Sequence, residues 1–485
     1  MLFNSFPFLI FFPIVTIGYF LWPNPWRWAW LLLASCVFYM WFIPVYILVL
    51  FALILIDFTM GQWIEKARNR GQGTKKYLIF SIVATCAVWS IFKYFNFFSA
   101  NLSGLAAFMG LHYPPKIINL ILPIGLSFHT LQSLSYVIEV FKGRQKAEHH
   151  LGIYALYVMF YPQLLAGPIE RSYHLIPQIR EKHEVDYQRI ADALKLMAWG
   201  MFKKVVIADR LAVLVDQVFG DVHGYKGPAL ALATVCFAIQ DYCDFSGYCD
   251  IAIGSARAMG FRLTTNFNFP FFSRSIAEYA RRWNITFFSW VKDYIYIPIC
   301  QSRLLHDNRL AAVLIALTFS GFWHGANWTF VVSFEVFACF IILSRVTRKF
   351  REKIYGVLGL DRENIFARLW QTGAAFSLLC FGLIFYRAHD LNEAFYIISQ
   401  LPRGWGHGFL LNGYTSLEFD KHWWVLSAQL VVVLVMMDLL HMNAHGKFVF
   451  AKDPAWVRWG YYYGLVMAMI LWGQYGQNQF LYFQF

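Results

Sequence analysis

The sequence predicts an all-α polytopic membrane protein, with about ten to twelve transmembrane helices plus re-entrant and interfacial helices around an intramembrane chamber. Three observations predict it. Of its 485 residues, 59% are apolar and only 14% are charged, against roughly 45–50% and about 25% in soluble domains. The apolar residues gather in runs that approach the ~20 positions a helix needs to cross a bilayer. The bases collect between such runs, as Lys66, Arg68, Arg70, Lys75 and Lys76 do, which is the positive-inside pattern of short cytoplasmic loops. A secreted, disordered, fibrous or ordinary cytosolic chain is excluded. So is nucleic-acid binding as the reason for the net charge of +13, because that function needs a basic face on a water-exposed fold.

The first run, Leu2 to Trp22, lacks the basic start and the small-residue cleavage site of a signal peptide, and another apolar run follows at once. It is read as the first spanning helix. Further candidates follow at Trp28–Met40, Tyr46–Gln62, Tyr77–Phe92, Ile117–Phe141, Leu151–Ala166, Ile190–Phe219, Gly227–Gln240, Ala311–Leu343, Phe366–Tyr386, Val425–His441 and Tyr461–Trp472. With the N-terminus outside, three crossings place the 65–76 loop in the cytoplasm. No internal repeat or long linker divides the chain, so residues 1–485 are read as a single domain. Two places break the pattern. Pro162, Gly167 and Pro168 interrupt one run, and Pro270 to Pro298 encloses aromatics mixed with Arg281, Arg282, Lys292 and Asp293. Irregular backbone at membrane depth needs protein or a water-filled cavity around it, so both are cavity candidates. An amphipathic helix on the membrane surface explains 270–298 equally well. The eight cysteines have no disulfide or zinc spacing and are read as reduced core residues; no metal set emerges.

Three polar constellations could carry chemistry. The first is Thr318 to Phe330, which places Trp323, His324 and Asn327 with Gly321 and Gly325 inside an apolar run. An ionisable residue within a membrane segment is a functional candidate, and imidazole suits general-base work near neutral pH. The bland alternatives are a satisfied core histidine and one at a helix end facing water; the glycines favour function by allowing a substrate close to the backbone. The second is Gln240 to Asp250, with Asp241 and Asp244 at i,i+3, then Tyr248 and Asp250. Its readings are helix capping, with Gly247 permitting a turn, and a paired-carboxylate site. The third is Ala277 to Thr286 with Trp290 and Asp293. Arg281 and Arg282 either pair locally with Glu278 or Asp293, or form a cationic, aromatic-lined mouth for an anionic substrate with Trp283 and Asn284.

Taken in order, Leu122–Phe128, Tyr161–Ile169, Asp244–Gly254, Asn266–Pro270, Arg281–Thr286, Asp293–Pro298 and Trp323–Trp328 resemble the motifs of the membrane-bound O-acyltransferase family, over roughly residues 1–345. The similarity is to the bacterial branch of the alginate O-acetylation and lipoteichoic-acid D-alanylation membrane proteins. The resemblance implies an acyltransferase whose intramembrane histidine is His324, the general base on an acceptor hydroxyl. Asn284 falls on the family's second polar position, and Asp241, Asp244, Tyr248, Arg282, Trp283, Asp293, Trp323 and Asn327 on the substrate-binding surroundings. Three departures from the branch are Asn284 in place of histidine, Ile299-Cys300-Gln301-Ser302 in place of a Gly-Gly turn, and His129 in place of tyrosine.

The same resemblance implies a multi-pass protein of the bacterial inner membrane with no bound cofactor and acetyl-coenzyme A as donor substrate. The acceptor would be an extracytoplasmic polysaccharide, or a periplasmic or extracellular acyltransferase that passes the group on. D-alanyl-type transfer from an acyl carrier protein is the alternative within the family. From other classes come a transporter or channel using His324, Asp241 and Arg282 as an ion relay, and a scaffold for another enzyme. Lipid is the one partner all these readings share, and none includes nucleic acid.

Overall fold

The computed structural model describes residues 1–302, 308–357, 361, 363–406, 417, 419–443, 454–475 and 480–481, and among them there is helix and no strand. The chain forms two compact units. The described part of the first is Met1–Met197 with Ile251–Thr264; the second is Ala198–Asp250 with Thr265–Leu481.

The first unit contains α1 (Phe6–Leu21), α2 (Arg27–Met40), α3 (Ile47–Asn69), α4 (Lys75–Trp89), α5 (Phe95–Phe108), α6 (Leu126–Phe141), α7 (Leu151–Met159), α8 (Ser172–Arg180) and most of α9 (Tyr187–Phe202). α3 lies at its centre, packed against α4, α6 and α7. The middle of α3 carries Asp57, which is 1% exposed. Its carboxylate accepts hydrogen bonds from the hydroxyl of Ser81 on α4, at 2.5 Å, and from that of Ser133 on α6. Ser133 in turn meets the Tyr154 hydroxyl of α7 at 2.8 Å. Lipid offers no hydrogen bonds, so this carboxylate sits where two neighbouring helices supply them and a third supports one of the donors.

Several expected spans have different bounds, for local reasons. A π-helical turn at Ser90–Tyr94 joins α4 to α5, so the apolar helix expected to stop at Phe92 continues to Phe108. The run expected from Ile117 becomes helical only at Leu126. Pro114, Pro115 and Pro123 lack the N–H a helix needs, and Gly125, at φ +79°, turns the chain into α6. The break near Pro162 is as expected: α7 ends at Met159, and residues 160–170 run on in buried turns and irregular chain.

The second unit holds the end of α9, α10 (Asp209–Gly220), most of α11 (Gly227–Ala258), α12 (Ile276–Arg282), α13 (Ile285–Val291), α14 (Ile297–Cys300), α15 (Arg309–His324), α16 (Trp328–Val346), α17 (Arg348–Val357), α18 (Ile365–Arg387), α19 (Leu391–Gln400), α20 (Lys421–Asn443) and α21 (Ala455–Trp472). The run expected as one span over Ala311–Leu343 is a helical hairpin. Asn327 caps α16 by accepting the Thr329 N–H at 3.1 Å. A Cβ on Gly321 would lie 2.7 Å from the Val331 Cα, so this glycine is there for the close approach of α15 and α16 rather than of a substrate. Gly325 is likewise covered, by the Phe330 ring. The stretch 270–298 is not one interfacial helix but a series of short helices broken at Trp283–Asn284, followed by a π-helical turn at Lys292–Tyr296.

Among the described residues, five helical stretches are long and apolar enough to cross a membrane: Pro44–Asn69, Lys75–Phe108, Trp328–Val346, Ile365–Arg387 and Lys421–Met442. Phe6–Leu21 and Arg309–His324 are apolar but shorter. The chain is a multi-pass membrane protein.

Candidate functional site

Asn284 is built into the break between α12 and α13. Its backbone is left-handed, at φ 41° and ψ 54°, a conformation asparagine tolerates better than most residues. The segment at Asn266 holds it there. The Asn266 side-chain oxygen accepts from the Thr286 N–H at 3.0 Å and the Thr286 hydroxyl at 2.8 Å. The Asn266 carbonyl accepts from the Ile285 N–H at 3.0 Å, and the Asn268 N–H donates to the Arg282 carbonyl at 2.9 Å. This clamp leaves Asn284 only 1% exposed, with neither the oxygen nor the nitrogen of its amide hydrogen-bonded among the described residues. A buried amide without a partner costs about 1–3 kcal/mol. A water or a polar ligand would satisfy such an orphan.

His324 closes α15 and is 5% exposed. Its Nδ1 lies 2.7 Å from the Ser320 carbonyl. A carbonyl only accepts, so Nδ1 carries the proton and the lone pair of the neutral ring is on Nε2. Four rings frame the imidazole: Phe334, Trp323, Phe287 and Tyr386, with centroids at 4.6, 4.8, 5.5 and 5.7 Å. Phe287 stacks on Trp323 at 4.2 Å and stands three residues after Asn284, the N-cap of α13. One aromatic cluster therefore ties the Asn284 segment to the His324 helix end. The histidine is at a helix end, as one bland reading had it, but it is not in water.

Of the other expected residues, Trp283 and Asp241 are linked to this region through Tyr279. Trp283 stacks on Tyr279 at 5.4 Å. Asp241, buried in α11, is an electrostatic neighbour of Tyr279, and so is Tyr386, whose ring touches His324. Arg282 takes the local pairing, 2.7 Å from Glu278. Both line a cavity of about 780 Å³ whose walls include Phe271, Phe376, Leu434 and Arg368. Asp293 sits partly exposed on the π-helical turn after α13.

Three candidates are occupied elsewhere. The Asn327 side chain caps α16, and its Nδ2 donates to the His389 carbonyl at 2.9 Å. Asp244 is 2.5 Å from the Lys204 ammonium and accepts the Leu481 N–H at 2.8 Å. Tyr248, 1% exposed, packs edge-on to Phe480 at 4.9 Å. The carboxylates of α11 are not caps either, for the helix runs through Gly247 to Ala258.

The lysines that hold them were not among the expected residues. Lys204 bridges Asp244 and Asp209, the latter at 2.9 Å, and Lys203 meets Asp250 at 2.8 Å and Ser246 at 2.7 Å. The signal was available: two adjacent lysines stand in the middle of the apolar run Ile190–Phe219. The chain bulges into a π-helical turn over Lys203–Ala208.

A family model described as MBOAT, membrane-bound O-acyltransferase family, matches residues 37–376. The chain is 33% identical over 396 residues to a probable alginate O-acetylase AlgI of Pseudomonas aeruginosa, covering 81% of this chain and 73% of that protein. It is 29% identical over 437 residues to a peptidoglycan O-acetyltransferase of Helicobacter pylori, covering 83% and 80%. A teichoic acid D-alanyltransferase of Streptococcus thermophilus is 26% identical over 226 residues, 43% of this chain and 53% of that one.

Proposed function

We propose that this chain, which belongs to the membrane-bound O-acyltransferase family and is an O-acyltransferase, moves an acetyl group from acetyl-coenzyme A to a hydroxyl reached from the far side of the bacterial inner membrane. The acceptor is an extracytoplasmic polysaccharide, or an acyltransferase partner that passes the acetyl group to it. The whole chain works as one catalytic domain. The observation that carries this reading is the orphaned amide of Asn284, joined through Phe287 to the ring cluster of His324.

Nε2 of His324 takes the proton of the acceptor hydroxyl as its oxygen attacks the thioester carbonyl carbon. The Asn284 Nδ2–H donates to the carbonyl oxygen as negative charge develops there. The C–S bond then breaks, and the leaving thiolate takes the proton from the imidazolium, which restores the base. In a low-dielectric site the amide's contribution exceeds what it would be in water. Acetyl transfer is favoured over D-alanyl transfer because O-acetylating relatives match over 81% and 83% of the chain, D-alanyl ones over 43% and 57%.

The test uses purified protein in detergent with acetyl-coenzyme A or acetylated carrier protein as donor, and polysaccharide fragments as acceptor. Acetyl-coenzyme A is expected to be consumed with ester formation, and His324→Ala to lower the rate by ~10²-fold or more. An unchanged rate in folded His324→Ala would remove the base assignment. Consumption of the carrier thioester alone would replace the donor.

A further inference from the structure

The first unit contains a cavity of about 790 Å³ that the acyl-transfer reading does not use. Its lining includes three arginines, Arg189, Arg257 and Arg262, against a single carboxylate, Glu181. Acids close by have other partners: Glu170 meets His174 Nδ1 at 2.6 Å and accepts the Thr264 N–H, Glu184 pairs with Lys182 at 3.0 Å, and Asp186 accepts the Arg189 backbone N–H at 2.9 Å.

The cavity wall is built. Gln178 of α8 brackets Arg262, its side-chain oxygen accepting the Arg262 N–H at 2.7 Å and its nitrogen donating to the Arg262 carbonyl at 3.1 Å. Gly260, at φ +105°, lies against the His183 ring, where a Cβ would be 2.6 Å from Cδ2. His183 is fixed in turn by the Tyr19 hydroxyl at 2.9 Å and by Arg27, which donates to its carbonyl at 2.6 Å. Of the arginines, Arg257 and Arg262 make no side-chain hydrogen bond or ion pair among the described residues. Arg189 donates to the Glu184 carbonyl at 2.5 Å but leaves its buried Nε without a partner.

Contacts within this unit give the side of the membrane. Arg180, at the end of α8, pairs with Glu148 at 2.6 Å. The neighbouring His149 pairs with Glu65 at 3.0 Å, at the basic end of α3, and Arg68 there donates to the Phe141 carbonyl at 2.6 Å. The cavity thus shares its side with the 65–76 loop, which is the cytoplasmic side by the positive-inside rule. Orientation alone asks for basic loops. It does not ask for a cavity lined by three arginines, two of them without an ion pair among the described residues.

We propose that this cavity is a cytoplasmic-side binding site for a phosphate-bearing ligand. Guanidinium forks match phosphate oxygens in pairs, and the volume admits the phosphate together with the organic group it esterifies. Two sources supply that chemistry on this side: the headgroup of an anionic phospholipid in the inner leaflet, and a soluble phosphate ester.

The experiment uses full-length protein in mild detergent. Native mass spectrometry reads retention of phosphatidylglycerol, and thermal shift reads binding of inorganic pyrophosphate. Arg257→Gln/Arg262→Gln is compared with Lys75→Gln/Lys76→Gln, which removes the same charge from the basic loop. Retained phosphatidylglycerol that falls at least tenfold in the arginine variant but not in the lysine variant supports the site with lipid as its source. A pyrophosphate shift with the same dependence supports it with a soluble ester. No binding of either probe, or equal binding in both variants, overturns it. If the double variant does not give a monodisperse protein, Arg262→Gln alone, at an exposed position, is read by the same criteria.

Discussion

Two buried polar clusters in the second unit differ in one respect. Around Lys203 and Lys204 the polar contacts are internal: two ammonium groups meet Asp244, Asp209, Asp250 and Ser246, and a backbone N–H completes Asp244. Around Asn284 and His324 the opposite holds. The amide has no hydrogen bond among the described residues, and the imidazole is held at Nδ1 so that its lone pair is on Nε2. Both clusters are charged or polar at buried positions, and a sequence search for such residues finds both. What separates them is the amide: the lysine network closes on itself, whereas Asn284 keeps an amide without a hydrogen bond among the described residues.

This contrast can be broken at either end. Lys204→Met leaves two buried carboxylates without their cation and is expected to cost about 3–5 kcal/mol. Thermal unfolding in detergent should therefore show a large fall in midpoint. Adding Asp244→Asn should recover part of it, since fewer bare charges remain. If Lys204→Met leaves stability intact but stops acyl transfer, the lysine belongs to the chemistry and the contrast fails.

The open cluster should behave in reverse. Asn284→Gly keeps the left-handed backbone, which glycine adopts freely, and deletes only the orphaned amide. Transfer is expected to fall by ~10²–10³-fold, while stability is kept or rises by up to about 1–3 kcal/mol, because the unpaired amide no longer has to be desolvated. Rates from thioester consumption and midpoints from the same preparation give both readings.

The smallest effect should come from the half-exposed pair Arg282–Glu278. Glu278→Gln is expected to change stability by ~0.2–1 kcal/mol, because Arg282 stays in contact with water. A loss of several kcal/mol would put this pair with the closed cluster instead, and the midpoint shift decides it.

Much of this was legible beforehand. The apolar runs, the basic 65–76 loop and the breaks near Pro162 and Pro270 depend on local composition, and local composition survives into the fold. His324 stood out for the same reason. The status of Asp244, Tyr248 and Asn327 did not, for each is decided by partners distant in sequence: Lys204 lies 40 positions from Asp244, and His389 lies 62 from Asn327. The role of Gly321 and Gly325 was not legible on the same ground, since space beside a glycine is set by whatever packs there.

The sequence by itself determined the solvent, because too few charges over too many apolar residues leave a bilayer as the place where the chain is stable. It also determined the chemistry available, through a few histidines, amides and carboxylates inside apolar runs. Only the tertiary structure decided which of those groups are spent on one another and which are left for a substrate. Hydrogen bonds and ion pairs act over a few ångströms in space, whatever the separation along the chain, so their closure is a property of packing.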